Sequence, residues 1–151
     1  MDTTTESASA RATIDRMDAA WAAFRERLHE VPTERLELHI SDRAWTRKQM
    51  LAHMTAWHDL TIERLTRFVE SGEPQDDLED GDTFNARAAR AAAGRTSGEI
   101  VLAMEDSYRR LRRDVSRLTD EQMAAHDDWA LAIIAGNTFG HYAEHLADLE
   151  A

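Results

Sequence analysis

Residues that end regular structure are rare in this chain. Only two prolines, Pro32 and Pro74, and six glycines occur among 151 residues. Because Gly and Pro are the strongest local breaks in secondary structure, they divide the chain into a few long pieces. Within these pieces apolar residues recur every three or four positions, as at Ile14, Met17 and Trp21, which is typical of one helix face. No segment alternates with a period of two, so we expect no β-sheet.

The apolar spacing predicts four long helices, at residues 7–30, 46–70, 97–118 and from 131 to the C-terminus. Thr46 is the expected N-cap of the second helix, which is apolar around much of its circumference. An acidic loop (75–82) and two short helices fall in the connections, one at 82–93 and one opened by a capping box at 119–122. Four amphipathic helices predict a single all-α domain, 1–151, folded as a four-helix bundle.

The charge balance excludes several classes of partner. Lys and Arg number 18 against 29 Asp and Glu, a net charge of −11, which argues against nucleic acid and against an anionic membrane surface. The polar N-terminus and the lack of a long apolar run predict a cytoplasmic protein. The chain has no cysteine, so a thiolate metal site and a cysteine nucleophile are excluded.

Histidines carry the chemical signal. His141 and His145 are spaced i, i+4, which lets two imidazoles on one helix face converge on one metal ion, and Asp148 follows about one turn later. His53 is the best third ligand because it lies midway along the most buried helix, whereas His58 is expected at the rim. Three histidines with an open position are typical of catalytic zinc and also suit nickel. The alternative is that these histidines are hydrogen-bonded core residues.

Two segments resemble a known family. Residues 45–58, WTRKQMLAHMTAWH, resemble the second-helix signature of the DinB-like (DinB/YfiT) superfamily, in which a Trp precedes a helix with a His eight residues on. Residues 134–145, IAGNTFGHYAEH, resemble the last helix of its ClbS/DfsB family. Asn85, placed before a short helix, also fits the pattern.

The resemblance implies an up-down-down-up four-helix bundle, often a homodimer, with a divalent metal bound by His53, His141 and His145. It also implies metal-dependent transfer of an external low-molecular-weight thiol, or hydrolysis, on a small reactive molecule, in detoxification or self-protection. We therefore expect a metal-dependent enzyme with a small-molecule substrate. The alternatives are a metal-free ClbS-like binding or self-resistance protein and a dimeric scaffold whose histidines satisfy one another.

Other residues have two interpretations each. Asn137 could hold a substrate or a metal-bound water, or cap the last helix; Tyr142 could donate a proton, or pack in the core with an outward hydroxyl. Trp57 could line a cofactor pocket beside His53, or be a core aromatic. Whether His58, Asn85 or Thr138 joins the site is open. No serine has an obvious basic partner. Three tryptophans are expected to pack and three histidines to be exposed: Trp21, Trp45, Trp129, His29, His39 and His126.

Overall fold

The computed structural model describes residues 6–40, 45–76 and 79–150, and within these ranges the chain is helical with no strand. The only extended pairing described is an isolated bridge between His39 and Thr46. None of the described helices is long and apolar enough to cross a membrane. The helices are α1 (Ala8–Glu30), α2 (Thr33–Leu36), α3 (Arg47–Ser71), α4 (Gly81–Ala92), α5 (Ser97–Ser116), α6 (Asp120–Asn137), α7 (Phe139–His145) and a 3₁₀ helix (Ala147–Leu149).

Local capping chemistry sets several helix ends. Thr119 forms the full capping box that the sequence predicts. Thr46 is the N-cap of α3 as predicted and also forms a full capping box, as does Thr96 for α5. Helix α3 ends at Gly72, whose φ of 76° is the left-handed conformation that favours glycine. Of the predicted acidic loop 75–82, residues 77 and 78 lie outside the described ranges, and 81–82 already belong to α4.

The core of the bundle forms between the long helices. Helix α1 packs against α5, α6 and α7, whereas α3 packs against α4, α5 and α6, so the first two long helices stand diagonally across the core. The connection between α3 and α5 contains α4, which lies on α3. Buried side chains from every long helix fill the centre, among them Met17, Phe24, Met54, Met104 and Leu111. The all-α bundle predicted from periodicity is confirmed.

The prediction of one continuous last helix is wrong. The backbone breaks at Thr138 (φ −122°, ψ −102°), whose hydroxyl donates to the carbonyl of Ile134 at 2.7 Å, and α7 begins after it. Gly140 permits this break, because a Cβ there would lie 2.9 Å from the carbonyl oxygen of Ala135. A second interruption divides α6, where residues 125–128 are not helical and His126 begins three residues of positive φ. His141 and His145 lie on α7, beyond the break at Thr138.

Candidate metal centre

Three histidines from two helices meet at one point. His53 on α3 places its Nε2 atom 3.0 Å from Nε2 of His141 and 3.3 Å from Nε2 of His145, both on α7. All three side chains are buried, and one ligand atom from each lies within 4.8 Å of the others. The sequence prediction that these three residues come together is confirmed.

Neighbouring acceptors fix where two of the imidazoles carry their proton. Nδ1 of His145 lies 2.9 Å from Oδ2 of Asp148, and Nδ1 of His53 lies 3.0 Å from Oδ1 of Asn85. Both oxygens only accept, so each imidazole donates through Nδ1 and keeps a lone pair on Nε2. The 3.3 Å contact between these two Nε2 atoms therefore holds no proton when both rings are neutral.

The three histidines cannot all pair their ring nitrogens in hydrogen bonds within the described structure. Nδ1 of His141 is buried and has no partner among the described residues, so every assignment of protons leaves one polar atom of this ring unpaired. Burying such an atom is costly. A tetrahedral metal with Zn–N bonds of about 2.0–2.1 Å holds its nitrogen ligands about 3.3 Å apart. The two separations at Nε2 of His53, 3.0 and 3.3 Å, and the lone pairs therefore suit a metal that prefers imidazole ligands.

Burial keeps the rings of His53 and His141 neutral. Burial lowers the pKa of His53 to about 4, against the smaller raising effect of the hydrogen bond with Asn85. Burial, helped by the charges of His53 and His145, lowers the pKa of His141 to about 3. Both rings are thus uncharged at neutral pH, with one nitrogen free of a proton, which is the form that binds metal.

The centre opens into a cavity of about 380 Å³. Trp45, Trp57, Asn137 and Glu144 line it beside the three histidines. Trp45 packs, as expected, with its ring centroid 5.0 Å from that of His53, and it also lines this cavity. Two indole rings, an amide and a carboxylate thus surround the open side of the site, which can admit a small molecule.

The structure argues against one of the two interpretations of Asn137, that it caps the last helix. Its Nδ2 donates to the carbonyl of Ile133 at 2.9 Å, and the N-cap residue of α7 is Thr138, which makes no side-chain cap hydrogen bond. Asn137 therefore lies on the cavity wall and does not cap the last helix. Trp57 is also in the predicted place, beside His53 on the wall, and its Nε1 donates to Oδ1 of Asn85 at 2.7 Å.

Comparison with known proteins identifies the family. Residues 16–149 match the family model of the DinB superfamily. The chain belongs to the DinB superfamily. A crystal structure of a protein from Streptococcus pneumoniae superposes with a TM-score of 0.78, covering 99% of this chain and 91% of that chain at 11% identity, so the likeness shows a shared fold. Curated protein sequences yield no match.

In this DinB bundle, the burial of His58 and the direction of the Tyr142 hydroxyl differ from what the sequence suggests. His58 is fully buried, so its predicted place at the rim is wrong, and burial lowers its pKa to about 3. Tyr142 packs in the core as expected, but its hydroxyl points inward to Nε2 of His58 at 2.6 Å and does not reach the cavity as a proton donor would need to. Ser107 has a basic partner after all, because its Oγ lies 2.8 Å from Nδ1 of His58.

The structure also shows where Thr138, Asn85 and the remaining histidines lie. Thr138 is buried and bonded to Ile134, so it shapes the DinB site through the backbone rather than as part of the cavity wall. Asn85 joins the site, and sequence spacing gave no signal of its contact with His53, 32 residues earlier. The i, i+3 spacing of His145 and Asp148 was the signal for the other orienting contact. The three histidines expected at the surface are exposed: His29, His39 and His126.

Proposed function

We propose that this DinB-superfamily protein is a metal-dependent enzyme that acts on a small reactive molecule, by thiol transfer or by hydrolysis. The observation that carries the proposal is the convergence of three Nε2 atoms, from His53, His141 and His145, at the base of an open cavity. Hydrogen bonds fix the lone pairs of two of these atoms. Converging lone pairs form no hydrogen bonds with one another, so they add little to the stability of a core. They suit a catalytic metal with an open position.

The residues of the chain have separate roles in this proposal. The three histidines would hold zinc or nickel, and the metal would lower the pKa of a bound water or thiol. The carboxylate of Glu144 lines the cavity and can accept the proton released there, while Asn137 can orient the substrate. Trp45 and Trp57 supply apolar walls. Because the chain has no cysteine, any thiol arrives as a second substrate.

The narrower assignment rests on sequence resemblance. The 134–145 segment favours the ClbS/DfsB family, and with it a detoxification or self-protection role. A cytoplasmic location, a homodimer, and the absence of nucleic-acid and membrane partners stay predictions from the sequence. The second candidate function is metal-free capture of a small molecule, favoured by the two indole rings on the cavity wall.

Elemental analysis of tag-free protein tests the proposal. We expect about one zinc or nickel per chain in wild type, loss of that metal in His141→Ala, and retention in His39→Ala, whose histidine is exposed. A thiol-transfer screen with reactive electrophiles then tests the reaction. Protein that is metal-free and whose stability is unchanged by added zinc or nickel would overturn the proposal, and stabilisation by small molecules alone would then support capture.

A further inference from the structure

We propose that Trp57 is a positioning residue of the metal centre, which acts through Asn85 to fix the tautomer of His53. The consequence for metal affinity rests on the proposed metal-dependent function. The position of the proton on His53 does not depend on that proposed function, because it is a property of the metal-free protein. This role differs from lining the cavity, which any aromatic side chain at position 57 would perform.

One oxygen atom receives two donors. Nε1 of Trp57 lies 2.7 Å from Oδ1 of Asn85, and Nδ1 of His53 lies 3.0 Å from the same atom. An indole N–H can only donate. If the amide of Asn85 rotated by half a turn, its NH₂ group would face this N–H, and two donors would oppose each other. Trp57 therefore holds the amide with its oxygen towards both rings.

This orientation of the Asn85 amide determines which nitrogen of His53 carries the proton. Facing an oxygen, Nδ1 must carry the proton, and Nε2 keeps the lone pair that points at His141 and His145. Without the indole donor, the amide could present NH₂ to Nδ1, which would then accept. The proton would move to Nε2, where it would occupy the space between the three nitrogen atoms. Metal binding would then require an extra rearrangement.

The packing of α4 on α3 makes this contact possible. Trp57 and His53 are one turn apart on α3, while Asn85 comes from α4 in the long connection. Phe84, next to Asn85, packs against the Trp57 ring with centroids 4.7 Å apart, which fixes the indole where its N–H meets the amide. The connecting helix therefore contributes an orienting group to the centre.

The test compares Trp57→Phe with Trp129→Phe. Trp129 also donates its indole N–H to a side-chain oxygen, that of Asp76 at 2.9 Å, but outside the centre, so it is a matched control. Long-range ¹⁵N–¹H NMR of the metal-free proteins near pH 8 reports which nitrogen of His53 carries the proton. Zinc titration reports the affinity.

We expect only the Nδ1–H form in wild type and Trp129→Phe. In Trp57→Phe we expect a substantial Nε2–H fraction and zinc binding about 10-fold weaker, as for other residues that orient metal ligands. The double variant Trp57→Phe/Asn85→Asp should recover the Nδ1–H form, because a carboxylate accepts in either orientation.

A pure Nδ1–H form in Trp57→Phe, or an Nε2–H fraction that persists in the double variant, would overturn the proposal. If the expected tautomers are found but wild type binds no zinc, the positioning role is supported and the metal-dependent function fails.

Discussion

The hydroxyl of Tyr142 donates to Nε2 of His58 at 2.6 Å, and this hydrogen bond joins α7 to α3 on the side of α7 away from the cavity. Nδ1 of His58 lies 2.8 Å from Oγ of Ser107, which itself donates to the carbonyl of Met104 at 3.0 Å. His58 therefore donates through Nδ1 and accepts through Nε2. Because Tyr142 follows His141 directly, this buried chain of hydrogen bonds helps to hold α7 in place.

Tyr142→Phe is expected to destabilise the protein by about 1–3 kcal/mol, since it leaves Nε2 of His58 buried without a donor. Urea unfolding of the metal-free protein measures this. Tyr108→Phe is the matched control: the hydroxyl of Tyr108 donates to Asp18, whose carboxylate keeps its hydrogen bonds from Arg112 and is partly exposed. An equal loss in both variants would contradict the special role of the His58 contact.

Gly140→Ala is expected to displace α7. The added Cβ would lie 2.9 Å from the backbone carbonyl oxygen of Ala135, which cannot swing away as a side chain can. We expect a loss of about 1–3 kcal/mol, as for overpacking, together with weaker zinc binding, measured by urea unfolding and titration. Gly136→Ala is the control, because nothing lies within 4 Å of its Cβ and alanine favours the helix. Wild-type behaviour of both variants would show that Gly140 is not required.

The features that the sequence predicts correctly depend on residues close together in the chain. The N-cap at Thr46 and the capping box at Thr119 involve residues at most three apart, and the pairing of His141 with His145 needs only one helix turn. His53 was identifiable because a polar residue on a largely apolar helix needs a partner.

What the sequence did not reveal depends on contacts between distant segments. His58 finds its partners 49 and 84 residues away, and no pattern on its own helix distinguishes it from a residue at the rim. Because α3 packs against several other helices, even a residue off its main apolar face becomes buried. The break at Thr138 likewise reflects how α7 packs on the bundle, since the segment itself has an unbroken helical period.

Acidification is expected to destabilise the metal-free protein between about pH 6.5 and 4. Burial lowers the pKa of His53 to about 4, and the pKa values of His58 and His141 to about 3, from an ordinary 6.5. In this window the unfolded chain binds more protons, so the stability present above pH 6.5 falls with pH, by about 1.4 kcal/mol per unit for each buried histidine.

Urea unfolding across this pH range measures that slope. His58→Gln removes one of the three titrating rings and should reduce the slope by about a third, whereas His39→Gln, at an exposed position, should leave it unchanged. A free energy of unfolding that stays constant over the window would contradict the buried, neutral state of these rings.

Asp148→Asn is expected to weaken zinc binding by about 10- to 100-fold, because Asp148 orients His145 through a 2.9 Å hydrogen bond to Nδ1. An amide can turn its NH₂ group towards Nδ1, which would move the proton of His145 to Nε2, and it also removes a negative charge. Glu144→Gln separates the two effects, since Glu144 lines the same cavity and its removal changes the charge by the same amount. If Asp148 acts by orienting His145, the loss of zinc affinity should be much larger in Asp148→Asn than in Glu144→Gln. Equal losses would mean that the lost negative charge alone explains the weaker binding.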